Sequence, residues 1–304
     1  MSIAVIIGVH DGVVLAADSA STLTVVGAPQ PAPGSLQAVG GVLNVYDNAN
    51  KIFNLYKGNP IGCITFGSGS IGNASISTLL KDLRAKLTAN EFGFNPDDYT
   101  IRQVAEILAT FLAAECSKIS DATLRQNTNI GFLLGGYSSR EGLGESWSVE
   151  ITRGQAGNPV ELRKKHDPGI SWGGMGEVLS RIVLGYSPML FQVLSQTGRG
   201  PQGQVSPDQL TQTLGPVLTA ALQAPIVFAP MPIQDAIELA RFLVHSAVMF
   251  SRFTPGPQMV GGMIEIAAIT KHEGFKWISR KHYYEQVLNK EPMLIKEPIH
   301  VISD

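Results

Sequence analysis

The residues whose types and spacing could do chemistry stand at the very start of the chain. Met1 is followed by Ser2, and methionine is normally removed when a small residue such as serine comes next. The chain would then open on a serine that carries a free α-amine beside its hydroxyl. A serine hydroxyl is a weak nucleophile until a base takes its proton. Ser2 leads into two short apolar, β-branched runs, residues 3–9 and 13–17, with His10-Asp11-Gly12 between them. Asp-Gly between such runs is a strong hairpin signal. That hairpin returns Asp18 to the end of the strand where Ser2 sits. Both runs are almost uninterrupted, so each strand should be covered on both faces. A core strand that begins at the second residue is unusual, because first residues are loose unless something ties them down.

A second motif points to different chemistry. Gly67-Ser68-Gly69-Ser70-Ile71-Gly72 matches G-x-G-x-x-G behind an apolar strand, and would suit a dinucleotide at a helix N-terminus. A second parallel strand ending in an acid should follow some twenty residues on. Instead Leu79–Leu87 reads as helix and Phe92-Gly93-Phe94-Asn95-Pro96 as loop. No G-x-S-x-G elbow is present. The histidines at 10, 166, 245, 272, 282 and 300 are scattered, and Cys63 and Cys116 read as buried thiols of a reducing cytosol. Neither a C-x-x-C nor a clustered Cys/His pattern suggests zinc. No cofactor or metal is expected.

The bulk composition narrows the class. With 304 residues and 44% hydrophobic content, the chain can fill one large domain or two small ones. The net charge is −2, charged residues are 16%, and the longest basic run is Arg163-Lys164-Lys165. That balance argues against a nucleic-acid partner. With so little charge and 32 glycines, much apolar surface needs covering, and burial between subunits is one way to cover it. The apolar run at the N-terminus lacks a basic region and stops at Val9, so it reads as a strand rather than a signal peptide. No stretch reaches the roughly 18 apolar residues of a membrane span. The expected location is the cytoplasm.

The elements that must position these residues follow from periodicity. Residues 19–45 form a long irregular loop or a small β excursion. Strands are expected at 51–56 and 61–66, and helices at 70–87 and 99–119, the second started by Asn95-Pro96-Asp97-Asp98. Strands follow at 129–137, 145–152 and 160–164, and Ser171–Gly176 leads into a helix at 177–185. Residues 188–230 hold a glycine-rich turn at 198–203 and a short helix at 207–222. An amphipathic helix at 233–250 precedes strands at 260–270 and 274–278. The tail, 281–304, is polar and either wraps a neighbour or hangs free. This grouping predicts an α+β fold with helices outside packed sheets.

Three features together resemble the opening of a proteasome β-type subunit, an N-terminal-nucleophile hydrolase of the HslV and 20S β kind. They are the sixteen-residue spacing from Ser2 to Asp18, the run Asp11-Gly12-Val13-Val14-Leu15-Ala16-Ala17-Asp18-Ser19, and a second segment. That segment is Asn50-Lys51-Ile52-Phe53-Asn54-Leu55 with Ile61-Gly62-Cys63-Ile64-Thr65-Phe66-Gly67-Ser68-Gly69 behind it. The resemblance covers roughly 2–187 and 231–279. It implies a four-layer αββα sandwich: one domain over 2–280, with insertions at about 22–45 and 188–230.

It also implies roles. Ser2 is the nucleophile and its own α-amine the base, with an amine pKa of about 7.7–8.0 before perturbation. The Lys51 ammonium beside that amine lowers its pKa, and Asp18 holds Lys51. Gly67, Ser68 and Gly69 offer backbone N–H groups to an oxyanion. Removal of Met1 is then the only processing needed, as in the HslV-type protease. The implied assembly is a self-compartmentalised homo-oligomeric ring acting on peptides or unfolded protein; docking of an ATPase unfoldase stays open. Without the resemblance, Ser2 is a small second residue, Asp18 a turn residue and Lys51 a solvated strand-edge lysine.

Two departures bear on activity. The family has a Gly-Ser-Gly turn where this chain has Gly174-Met175-Gly176. It has an aspartate three residues before Ser-Gly-Gly where this chain has Pro257-Gln258-Met259-Val260-Gly261-Gly262. An inactive ring scaffold of the same fold is therefore the alternative, and a nucleotide-binding oxidoreductase using Gly67–Gly72 the distant one.

Overall fold

The structure is a computed structural model that describes residues 2–24, 42–164, 167–197, 199–200 and 203–282. The chain opens with β1 (Ile3–Val9) and β2 (Gly12–Ala17), then a ribbon of β3 (Ser21–Thr24) and β4 (Val42–Tyr46). Next come β5 (Ile52–Asn54), β6 (Ile61–Gly67) and a small hairpin, β7 (Ser70–Ile71) with β8 (Ala74–Ser75). Helices α1 (Ile76–Thr88), α2 (Ile101–Ser117) and α3 (Ala122–Gln126) lead to β9 (Ile130–Gly136) and β10 (Glu145–Thr152). β11 (Gln155–Ala156), β12 (Val160–Arg163) and β13 (Gly169–Gly174) precede α4 (Glu177–Leu179), which runs into a π-helical turn at Ser180–Leu184. After α5 (Met189–Thr197), β14 (Arg199–Gly200) and β15 (Gly203–Gln204) come α6 (Pro207–Leu222) and α7 (Ile233–Phe253). The last strands are β16 (Glu265–Thr270) and β17 (Gly274–Ser279).

The fold is mixed α and β on antiparallel sheets. One sheet runs β13-β1-β2-β16-β17, the other β11-β10-β9-β6-β5 with β12 on β10. The expected hairpin forms in the register Ala4↔Ala17 and Val9↔Gly12. Period-two alternation splits its side chains between two cores. Ile3, Val5, Ile7, Val14 and Ala16 pack with Ala236, Ile237, Ala240, Leu243, Val244 and Ala247 of α7. Ala4, Ile6, Val13, Leu15 and Ala17 meet Ile52, Ile64 and Leu133 of the other sheet. The outer face of that second sheet packs Cys63, Phe132, Leu134 and Val149 against α1 and α2. Apolar runs without alternation are the sequence trace of strands covered twice.

Two glycines let the sheets approach. A Cβ on Gly62 would lie 2.7 Å from Ile269 Cδ1, and one on Gly135 would lie 2.7 Å from Val13 Cγ1.

Several elements differ from the sequence expectation. The helix expected at 70 starts at Ile76 instead, because Gly72, at φ +55°, turns a hairpin first. Ser75 then caps the helix, its Oγ accepting the Thr78 N–H at 3.2 Å. Helix α2 is capped by Thr100, which accepts the Gln103 N–H at 3.1 Å, while Asn95 only closes a turn onto Asp97. Residues 171–174 are not a lead-in loop but part of β13, paired with β1. The glycines hid this strand, yet Gly173 is required there: a Cβ would lie 2.2 Å from the Phe66 ring. Helices α3 and α5 were not expected, and β16 begins at Glu265 rather than 260, after Gly262 at φ +73°. The expectations for most of 22–45, for the turn at 198–203 and for the tail beyond His282 lie largely outside the described residues.

Candidate active site

β1 and β2 end side by side, which sets Ser2 and Asp18 together. The Ile3 N–H donates to Asp18 Oδ1 at 3.0 Å. Asp18 is fully buried, and its Oδ2 accepts N–H groups from Ala20 and Gly261, each at 3.1 Å. Lys51, just before β5, donates from Nζ to Asp18 Oδ1 at 2.5 Å. Its backbone is fixed by the Thr65 N–H donating to Lys51 O at 2.9 Å. Lys51 is itself buried, so this is no solvated edge lysine. Burial holds its ammonium below the ordinary lysine range; Asp18 opposes that shift, Lys281 adds to it and Glu265 opposes it.

Ser2 is anchored through its carbonyl, which accepts the Met175 N–H at 2.7 Å. This works only because residue 174 is glycine. A Cβ there would sit 2.0 Å from Ser2 O, and the backbone holds φ +88°. Ser2, Lys51 and Gly67–Gly69 line one cleft of about 440 Å³, together with Thr22, Tyr46, Asn50 and Phe66. Asp18 is not among its lining residues. The structure thus brings together residues separated by up to 49 positions in the chain: Lys51 and the Ile3 N–H both bond Asp18, and Ser2 and Lys51 line one cleft.

The turn at 67–69 lies on the same cleft, but its donors are not equivalent. The Ser68 N–H points back to β9 and donates to Asn129 O at 2.9 Å. Gly67 has φ +94°, and a Cβ there would lie 2.6 Å from Asn129 O. Ser68 therefore does not offer its N–H to the cleft in this structure. Gly69 keeps its carbonyl on the Ile76 N–H at 3.1 Å.

The departing segments are also in place. Met175 is half-buried and packs against the core that β1, β2 and α7 share. The 257–262 segment supplies no acid or hydroxyl, but its backbone grips the site. The Gly261 N–H bonds Asp18, and Gly261 O accepts the Ser19 N–H at 2.9 Å. The sequence reading missed two charged residues nearby. Glu265 is buried, and its Oε2 has Lys281 Nζ at 2.8 Å without a partner at hydrogen-bonding angles. An acid inside Met263-Ile264-Glu265-Ile266-Ala267 was a readable signal, since a carboxylate in a covered strand needs a cation. Lys281 carried no such signal.

The context a dinucleotide site needs is missing. Gly67–Gly72 runs into the β7–β8 hairpin rather than a helix, and β6 pairs antiparallel with both β5 and β9. Among the described residues no single helix is long and apolar enough to cross a membrane.

The two antiparallel sheets pack through β1, β2, β6 and β9, helices α1, α2 and α7 pack against them, and the second residue stands at the end of a central strand. A solved structure has the same fold: the Anbu (Gly-1) mutant from Hyphomicrobium sp. strain MC1, with a TM-score of 0.52 and 14% identity over 93% of this chain and 90% of that one. Anbu is a bacterial proteasome-like protein related to HslV. At that identity the likeness speaks to fold. No protein-family model and no curated protein matches the sequence.

Proposed function

We propose that this protein is a cytoplasmic subunit of a proteasome-like homo-oligomeric ring with the four-layer αββα arrangement, and a peptidase whose nucleophile is Ser2 after loss of Met1. The observation that carries this reading is the buried Lys51–Asp18 ion pair against the start of β1, opening through Ser2 and Lys51 onto one cleft. Once Met1 is gone, the α-amine of Ser2 lies on that cleft beside a buried ammonium. A second positive charge there is costly, so the amine stays neutral near pH 7 and takes the hydroxyl proton. Asp18 is held by three backbone N–H groups and in turn fixes Lys51. Attack on a peptide carbonyl forms a tetrahedral oxyanion, and the Gly67 and Gly69 N–H groups are the turn donors left to receive it. Losing one such donor costs on the order of 3 kcal/mol of transition-state stabilisation. With Ser68 committed to Asn129, and with Met175 and Val260 in place of hydroxyl partners, slow turnover is expected.

The test uses the N-terminus itself. Intact mass reports whether Met1 is lost. A peptide vinyl sulfone should then label Ser2 in the untagged protein, and Ser2→Ala should abolish both labelling and peptide hydrolysis. A chain keeping Met1 or an N-terminal tag has an amide nitrogen at Ser2, which cannot act as a base, so it should be folded but inactive. Equal hydrolysis by tagged and untagged protein would refute the mechanism. Absence of labelling in processed protein that still assembles would favour an inactive ring scaffold.

A further inference from the structure

Behind the Asp18–Lys51 pair lies a second ion pair that the proposed chemistry does not use. Glu265 opens β16 with its side chain 2% exposed, and in register it faces Ala17, the residue before Asp18. A carboxylate so far from water is retained only with a cation close by. That cation is Lys281, from the stretch just past β17, with Nζ 2.8 Å from Glu265 Oε2. The same Nζ donates to Ser19 Oγ at 2.8 Å. Ser19 Oγ donates onward to Met263 O at 2.5 Å, and the Ser19 N–H donates to Gly261 O at 2.9 Å. The Gly261 N–H then returns to Asp18 Oδ2 at 3.1 Å. The bonds close a loop: residues 18–19 are clasped to 261–265, and Lys281 spans both sides of the clasp.

We propose that Lys281 is a positioning residue for the Asp18–Lys51 pair: it clamps Ser19 to Glu265, and so ties the place where the C-terminal segment departs to the geometry of the site. The clamp stands on its own bonds; its use in a reaction rests on the N-terminal-nucleophile reading. Charge balance supports it. Asp18 and Glu265 bring two carboxylates, Lys51 and Lys281 two ammoniums. Without Lys281, Lys51 is the one cation left in that group of four for two buried carboxylates, and it is pulled away from a single geometry on Asp18. Lys51 already feels both members of the second pair, Lys281 lowering its proton affinity and Glu265 raising it.

The test is residue-resolved amide hydrogen exchange on the full chain, with peptide turnover read in parallel. In Lys281→Met, exchange at the Ser19, Ala20 and Gly261 amides should speed up on the order of tenfold or more, while α2 core amides keep their protection. Lys281→Arg should retain the local protection. Where hydrolysis is measurable, kcat should fall on the order of tenfold with KM nearly unchanged. If Lys281→Met fails to fold, the double variant Glu265→Gln/Lys281→Met removes both charges together and should show the same local acceleration. Unchanged exchange at these three amides, or equal acceleration in α2, overturns the proposal. The two readings separate cleanly. Local acceleration in a protein whose wild type never turns over peptides supports the clamp and refutes the hydrolase. An active wild type with undisturbed amides in the variant does the reverse.

Discussion

Lys51 shows what a single residue contributes here. Its ammonium is paired with Asp18, yet burial outweighs the pairing and its pKa lies below the ordinary value of 10.5. Across the interval between the lowered folded value and the unfolded one, the unfolded chain binds a proton that the folded chain does not. Stability due to this group therefore rises with pH through that interval and levels off above the unfolded value. Lys51→Met should lose about 3 kcal/mol at neutral pH, because a buried carboxylate loses its cation. The gap between wild type and variant should widen as pH climbs toward 10.5, read from urea midpoints at a series of pH values. A gap that narrows instead would mean that pairing, not burial, dominates. In an active enzyme, the neighbouring amine of the Lys51→Met variant loses the charge that keeps it neutral, so residual hydrolysis should move to higher pH.

At the scale of elements, the site depends on β13 lying against β1. Gly174 has φ +88°, with Ser2 O where a Cβ would be. Gly174→Ala should cost about 2 kcal/mol or more in chemical denaturation, since strain and a backbone clash combine. It should also weaken the hold of Met175 on Ser2 and slow any labelling of the nucleophile. Gly8 is the control on β1 itself, because nothing lies within 4 Å of its added Cβ. Gly8→Ala should change stability by about 0.5 kcal/mol or less. Similar losses at both positions would show that strand propensity, not the Ser2 contact, explains Gly174.

For the whole molecule the question is assembly. The described residues expose several large apolar side chains, including Phe242 and Phe253 on α7, on a chain with only 16% charged residues. In a ring of copies, side chains such as these would lie between subunits. Under the ring reading, light scattering on the untagged protein should give a mass that is a large whole multiple of 32.5 kDa. Monomers alone at micromolar concentration would remove the ring from the proposal, without touching the fold.

The sequence by itself determined the hairpin, because Asp11-Gly12 between apolar runs admits little else, and it determined α7, where the 3.6 period extends over many turns. Through the resemblance to proteasome β-type subunits it also marked Ser2, Asp18 and Lys51 as a set, on a sixteen-residue return and a lysine that opens a strand. It could not show where those patterns meet. β13 was invisible because its glycines look like a loop, and they are needed only because Phe66 and Ser2 O press on them from elsewhere in the fold. The direction of the Ser68 N–H depended on Asn129, sixty-one residues away, and the role of Lys281 on Glu265 and on Ser19, 262 positions earlier. Local chemistry writes short-range bonds into the sequence. Which backbone donor faces the cleft, and which cation answers a buried acid, are decided by packing between distant segments, and only the tertiary structure holds that information.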